Sequence, residues 1–82
     1  MNNKFSVALT HEATQQIMEL TEAKRAAIYK ALWRVCADPY FNVQLKDDMY
    51  AVNLEGYRVD YVVKPDERPP TIVVVLIKKL RG

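Results

Sequence analysis

Cysteine, histidine and glycine are scarce in this sequence, and each shortage excludes a kind of chemistry. The 82 residues contain one cysteine, Cys36, so no disulfide can form within the chain. His11 is the one histidine, and neither residue has a second soft ligand at the spacing of a zinc site. With glycine only at Gly56 and Gly82, there is no glycine-rich loop to hold a phosphate. We therefore expect neither a metal site nor a bound cofactor.

Long apolar runs are missing as well. The longest, TIVVVLI at residues 71–77, has the length of one strand and falls well short of a membrane span. The amino terminus lacks the continuous apolar segment of a signal peptide. These absences, together with the single cysteine, predict a cytoplasmic protein. Because 50% of the residues are hydrophobic, the chain can bury a core, and its length predicts one domain over residues 1–82.

The positive charges are unevenly distributed along the chain. A net charge of +2 at pH 7 is too small to indicate nucleic-acid binding by itself. However, Lys30 and Arg34 lie about one helical turn apart, and Lys78, Lys79 and Arg81 crowd the end of the sequence. Clustered cations raise the local potential whatever the total charge, so both clusters suit an acidic, amphipathic partner. An ordinary solvated surface is the alternative explanation.

The spacing of apolar residues predicts a strand over residues 4–9, followed by a hairpin of two helices. Thr10 and Thr21 stand where the helices begin and can accept hydrogen bonds from their free N–H groups. The second helix has an apolar stripe of four residues, Ile28, Leu32, Val35 and Cys36. Tyr29 and Trp33 are expected to widen this stripe.

Beyond Pro39 the apolar period changes from about four to two, which predicts three strands. Residues 49–54 and 57–64 alternate, and the turn between them, Glu55-Gly56, uses the freedom of glycine to adopt a positive φ. Residues 71–77 are apolar on both faces, as in a central strand. The predicted order is β-α-α-β-β-β. This order defines an α+β fold, in which the helical hairpin covers one face of a small antiparallel sheet.

The segment GYRVDYVV, residues 56–63, places two charged residues in an apolar, alternating strand. If its tyrosines and valines face the helices, Arg58 and Asp60 lie on the open face, with Ala51 and Asn53 of the preceding strand. A guanidinium held on a rigid sheet can bind a phosphodiester through planar, charge-assisted hydrogen bonds. The alternative is that Asp60 neutralises Arg58 in a surface ion pair worth only ~0–1 kcal/mol.

The helix exit RVCADPY, the hairpin YAVNLEGYRVDYVV and the last strand IVVVLIKKLR carry a resemblance to a known family. Together with the order of elements, they resemble the RelE/ParE superfamily of toxins from bacterial type II toxin–antitoxin systems. The resemblance covers nearly the whole chain and is sharpest at GYRVDY. It implies a RelE/ParE-like fold and a toxin held inactive by an antitoxin protein. RelE-like members cut messenger RNA on the ribosome and so inhibit translation, whereas ParE-like members poison DNA gyrase.

The resemblance also implies roles for the basic residues. Arg58 matches the arginine that contacts the scissile phosphate in RelE-like enzymes, and Arg81 corresponds to a second active-site arginine after the last strand. Both are the expected catalytic residues, and Lys78 and Lys79 join them as expected RNA-binding residues. Antitoxins of the superfamily wrap a segment around the toxin. The cations expected to bind such a partner are Lys30, Arg34, Lys78 and Lys79.

Two departures from the RelE pattern bear on activity. Ala51 and Asn53 stand where RelE-like enzymes have lysines, and the sequence ends at Gly82, without the extension that carries an acid–base group in those enzymes. A missing general acid or base commonly costs ~10²–10⁴-fold in rate, so any nuclease activity is expected to be weak. Three functions stay open: a RelE-like toxin acting on ribosome-bound messenger RNA, a ParE-like toxin acting on gyrase, and a toxin fold that only binds a partner.

Overall fold

A computed structural model describes residues 5–80, which form two helices and five strands. The helices pack on one face of the sheet, so the predicted α+β fold with a helical hairpin is confirmed. Neither helix in this range has the length and apolar character needed to cross a bilayer. In chain order the elements are β1 (Ser6–Leu9), α1 (His11–Met18), α2 (Glu22–Ala37), β2 (Val43–Lys46), β3 (Met49–Leu54), β4 (Tyr57–Lys64) and β5 (Thr71–Lys79).

Both helices begin at the predicted caps. The Thr10 hydroxyl oxygen accepts the Ala13 N–H at 3.1 Å, and that of Thr21 accepts the Lys24 N–H at 3.2 Å. Each bond satisfies one of the N–H groups that a first helical turn leaves without a partner. The second helix ends just before Asp38-Pro39, because a residue that precedes proline is disfavoured in the helical conformation.

The core lies between the helices and the sheet. From α1 it takes Ala13 and Ile17, and from α2 it takes the predicted apolar stripe. The facing side of the sheet contributes alternate residues of the two central strands, all almost fully buried. These residues are Val59, Tyr61, Val63, Ile72 and Val74.

Tyr29 and Trp33 lie outside this core, so the expectation that they widen the apolar stripe of α2 is wrong. Their exposed fractions are 44% and 67%. Each follows a buried residue, Ile28 or Leu32, and one position turns a side chain by about 100° around the helix axis. A single sheet covers only one side of a helix. That rotation therefore carries both rings toward the outer face of α2, the side directed away from the sheet.

The strand order in the sheet is β1-β5-β4-β3-β2. β5 is therefore a central strand, as its apolar residues on both faces predict. The sheet is mixed rather than wholly antiparallel, because β1 runs parallel to β5 while the other neighbouring pairs are antiparallel. β1 and β5 come from opposite ends of the chain, so no hairpin turn forces them to run in opposite directions.

β2 is a strand that the sequence pattern did not predict. It is a four-residue edge strand, VQLK, whose residues are all exposed, and its apolar alternation is too short to stand out as a strand. Main-chain pairing with β3 holds it in the sheet. Asp47 begins the turn between the two strands with a φ of 45°, a left-handed conformation that aspartate tolerates. The observed order is therefore β-α-α-β-β-β-β.

A bulge interrupts the pairing of β4 with β5. Opposite the step from Asp60 to Tyr61, the β5 residue Val75 has no partner within the described sheet. The helix α1 supplies a hydrogen bond beside this bulge, since the Gln16 side-chain carbonyl accepts the Ile77 N–H at 2.7 Å. The bulge shifts the alternation of β5, so Ile77 turns into the core and is 5% exposed.

Candidate functional site

The strand β4 alternates between the two faces of the sheet as its sequence predicts. Its odd-numbered residues, two tyrosines and two valines, are buried against the helices. Arg58 is exposed on the opposite, open face. The register with β3 pairs Arg58 with Asn53 and Asp60 with Ala51, so all four share the open face. Alternation within β4 puts Arg58 and Asp60 on one face, and the hairpin register with β3 adds the other two.

Arg58 and Asp60 form an ion pair, the one such pair found among residues 5–80. The Arg58 Nε–H donates to the Asp60 carboxylate at 2.9 Å. The pair is not the surface pair that the sequence suggested, because the Asp60 side chain is only 12% exposed and that of Arg58 is 45% exposed. Asp60 lies on a central strand, with Ala51 and Leu76 paired beside it on the neighbouring strands, and these neighbours limit its access to water.

Of the lysines near the end of β5, the sheet brings only one to the face of Arg58. Lys78 is paired with Arg58 across β4 and β5 and so shares the open face. Lys79 is paired with Tyr57, which belongs to the helix face, so its side chain leaves the sheet on the opposite side. Arg81 lies outside the described residues. Of the expected RNA-binding residues, Arg58 and Lys78 therefore form a cluster.

Lys30 and Arg34 form a separate basic site on α2. Both side chains are exposed, and residues four apart lie on the same side of a helix. Because α2 covers the helix face of the sheet, this site is separated from Arg58 by the full thickness of the sheet. Of the expected partner-binding cations, Lys78 thus lies on the open face, whereas the other three lie on the side of the helices.

A cavity of about 500 Å³ opens beside Arg58. Its polar lining comes from Asn42, Asn53 and Arg58. Its exposed apolar surface comes from Phe41, Val43 and Leu45. None of its lining residues is acidic. This wall of the site was not predicted from the sequence, although its three apolar residues alternate with polar ones over residues 41–46. That short period of two was the signal from which this wall could have been found.

The open face has binding groups but few groups for proton transfer. Ala51 and Asn53 neither titrate nor supply a fixed charge, and Arg58 already engages the Asp60 carboxylate. Nearby tyrosines face the helices, and burial raises the pKa of Tyr61 above its ordinary value, with a hydrogen bond from Asn42 opposing part of the increase. The arrangement is therefore suited to holding a phosphate rather than to acid–base catalysis.

Cys36 is unsuited to act as a nucleophile. Its side chain is 1% exposed in the core, and burial raises the pKa of the thiol, so the reactive thiolate is disfavoured. His11 is exposed at the start of α1, 3.5 Å from Gln15. Within residues 5–80, no three His, Cys, Asp or Glu side chains are grouped so that they could hold a metal ion.

These features define the class as a small α+β domain with a helical hairpin on one face of a mixed sheet and a basic residue fixed on the other. The crystal structure of the isolated E. coli RelE toxin matches with a TM-score of 0.78 and 22% identity, over 95% of this chain and 86% of that chain. The intact E. coli RelBE toxin–antitoxin complex matches with a TM-score of 0.75 and 20% identity, over 95% and 99% of the two chains.

A third solved structure is an E. coli RelE mutant in complex with a peptide of the antitoxin RelB. It matches with a TM-score of 0.75 and 20% identity, over 96% of this chain and 86% of that chain. At such low identities the likeness establishes the fold alone. The chain has the RelE toxin fold, and the resemblance inferred from the sequence is confirmed at that level. No family model and no curated protein matches the sequence.

Proposed function

We propose that this chain is the toxin of a type II toxin–antitoxin system, which acts in the cytoplasm and inhibits translation by binding messenger RNA on the ribosome. The observation that carries the proposal is Arg58, a guanidinium on the open face of a RelE-type sheet, beside Lys78 and an open cavity. Guanidinium groups bind phosphates through directed, charge-assisted hydrogen bonds. Lys79 and Arg81 are proposed to extend the basic end of β5 as further RNA contacts.

Cleavage by this site is proposed to be weak, with Arg58 and Arg81 as the residues that contact the reacting phosphate. Arg58 is 45% exposed, so part of its guanidinium remains open to a phosphate while Asp60 holds the Nε–H. Asp60 competes for the same positive charge. Ala51 and Asn53 cannot replace the lysines of RelE-like enzymes as proton carriers. RNA binding is therefore expected to persist where catalysis is slow.

Growth after induction tests the toxin proposal. The wild type should arrest growth, and Arg58→Ala should restore it, because Ala51 and Asn53 cannot take over the phosphate contact. Arg68→Ala is the matched control, since Arg68 is an exposed arginine in the loop at the opposite end of β4. Messenger-RNA cleavage, mapped on ribosomes in the same cultures, should be faint in the wild type and lost in Arg58→Ala. Asp60→Asn should increase RNA affinity by removing the competing carboxylate.

A second candidate function is a ParE-like toxin that inhibits gyrase. The observation in its favour is the shortage of proton-transfer groups on the open face, since a toxin that binds a protein target needs none. Growth arrest that survives Arg58→Ala, without messenger-RNA cleavage, would favour this function over RNA binding. A wild type that never slows growth would instead favour a toxin fold that only binds a partner.

The proposed partner is a cognate antitoxin of acidic, amphipathic character. Two of the RelE structures similar to this chain contain the antitoxin RelB, which supports such a partner. Lys30 and Arg34 on α2, and Lys78 and Lys79 on β5, are the cations proposed to attract it. Because these cations lie on two sides of the molecule, an antitoxin that contacts all four must wrap around the domain.

Trp33 offers a direct readout of antitoxin binding. It is the one tryptophan of the sequence, is 67% exposed and adjoins Arg34 on α2. Its fluorescence should shift to shorter wavelength when the protein encoded beside this chain's gene covers α2. Charge reversal of Lys30 and Arg34 should slow association and flatten its dependence on salt. If the charge-reversed protein and the wild type associate at the same rate at every salt concentration, Lys30 and Arg34 are not part of the partner surface.

A further inference from the structure

An exposed phenylalanine lines the cavity that contains Arg58. Phe41 is 83% exposed, more than any other large hydrophobic side chain among residues 5–80. Single exposed apolar residues are common on protein surfaces, so exposure alone assigns no role. The position of this ring and the rigidity of its support are more informative.

The loop that carries Phe41 is held on both sides. The buried Tyr61 hydroxyl donates to the Pro39 carbonyl at 2.6 Å and accepts a hydrogen bond from the Asn42 amide at 2.9 Å. The neighbouring ring of Tyr40 packs edge-on against two other aromatic rings, at centroid distances of 5.8 and 6.2 Å. Phe41 is therefore exposed on a loop anchored to the core, so the backbone that carries its ring needs little further ordering before the ring binds a ligand.

We infer that Phe41 stacks on one base of a single-stranded RNA whose adjoining phosphate is held by Arg58. The inference rests on the proposed function and adds a base-binding subsite to it. An aromatic ring for the base and a cation for the backbone are the two parts that single-strand recognition commonly combines. The cavity that joins them, about 500 Å³, lies in the range of small-ligand sites.

The remaining lining of the cavity suits a base. Val43 and Leu45 provide apolar contact for its faces, and Asn53 presents both a donor and an acceptor to its edge. Stacking on a phenyl ring discriminates poorly among bases, so Asn53 is the group that would set a preference. An apolar side chain of a partner protein is the competing occupant. It would contact the ring but offer no hydrogen bonds to the Asn53 amide or to the guanidinium N–H groups of Arg58 that Asp60 does not engage.

The test measures the affinity for short, fluorescein-labelled single-stranded RNA by fluorescence anisotropy at one salt concentration. Each variant is measured with intact RNA and with RNAs in which one nucleotide at a time lacks its base. Phe41→Ala should weaken binding of intact RNA by about tenfold, the scale of one base–aromatic stack. Removing the stacked base should weaken wild-type binding similarly but leave Phe41→Ala unaffected. Phe41→Trp should retain affinity.

Two controls separate this inference from its alternatives. Tyr29→Ala removes an exposed ring on α2 and should leave RNA affinity unchanged, and thermal unfolding should show Phe41→Ala folded, because the ring it removes is outside the core. If Phe41→Ala binds every RNA like the wild type while Arg58→Ala loses affinity, the stacking inference is overturned and the proposed function stands. If the wild type binds no RNA, the stacking inference and the proposed function both fail. Loss of a co-purifying protein from Phe41→Ala, with RNA affinity intact, assigns the ring to that protein and also overturns the inference.

Discussion

Replacing Arg58 with alanine tests how the burial of its partner affects stability. A surface ion pair would be worth only ~0–1 kcal/mol. Here the Asp60 side chain is 12% exposed, and the Arg58 Nε–H lies 2.9 Å from its carboxylate. The substitution therefore leaves a largely buried carboxylate without the donor that compensates for its lost hydration.

The expected loss of stability is about 1–2 kcal/mol. Hydrogen bonds to charged groups contribute about 1.5–3 kcal/mol, and this value is reduced because Arg58 is 45% exposed and its charge is screened by solvent. For a domain of this size, about 1 kcal/mol lowers Tm by about 4–8 °C. Asp60→Asn should lose less, below ~1 kcal/mol, because its amide oxygen can still accept the Nε–H. The double variant should show a coupling of about 1 kcal/mol.

Urea unfolding followed by far-UV circular dichroism measures these values, at low and at high salt. The loss of stability in Arg58→Ala should change little with salt concentration, because dissolved ions screen a buried carboxylate poorly. Unfolding midpoints of Arg58→Ala that equal the wild type in both salts would refute the reasoning and restore the surface-pair interpretation. The result also sets the temperature for the growth assay, which is informative only where Arg58→Ala is folded.

Three further substitutions test the packing and turn arguments. Tyr61→Phe removes one buried and one partly buried hydrogen bond and should cost about 1–3 kcal/mol. Because burial raises the pKa of Tyr61, the folded protein keeps a proton that the unfolded chain releases at pH ~10. The stability of the wild type should therefore fall as the pH rises past that value. Urea titrations at several pH values should show a smaller decrease for Tyr61→Phe, which lacks the titrating hydroxyl. Gln16→Ala leaves the Ile77 N–H without its acceptor and should cost about 1–2 kcal/mol by the same titration, whereas the exposed neighbour Gln15→Ala should be neutral. Gly56→Ala should cost about 1–2 kcal/mol, because the φ of Gly56 is +83°. Backbone strain is the whole of this cost, since no atom lies within 4 Å of an added Cβ. An unchanged urea midpoint would contradict that conformation.

Local sequence was sufficient for every helix and strand except β2, and for the direction in which Arg58 points. Thr10 and Thr21 cap the helices, and Gly56 permits the hairpin turn, because each of these effects depends on neighbours only a few residues away. Alternation over residues 57–64 separates the two faces of β4 by geometry that every extended strand shares. The candidate phosphate-binding Arg58 and its carboxylate partner Asp60 could therefore be identified from the sequence.

Only the tertiary structure decided what surrounds those residues. Asp60 is buried because β3 and β5 lie on both sides of it, and Trp33 is exposed because the sheet covers one side of α2. Phe41 belongs to the site because the buried Tyr61 holds its loop next to the open face. Contacts of this kind depend on how separate segments pack together, and the free energy that selects them is a sum over the whole core. No periodicity within one segment contains that information.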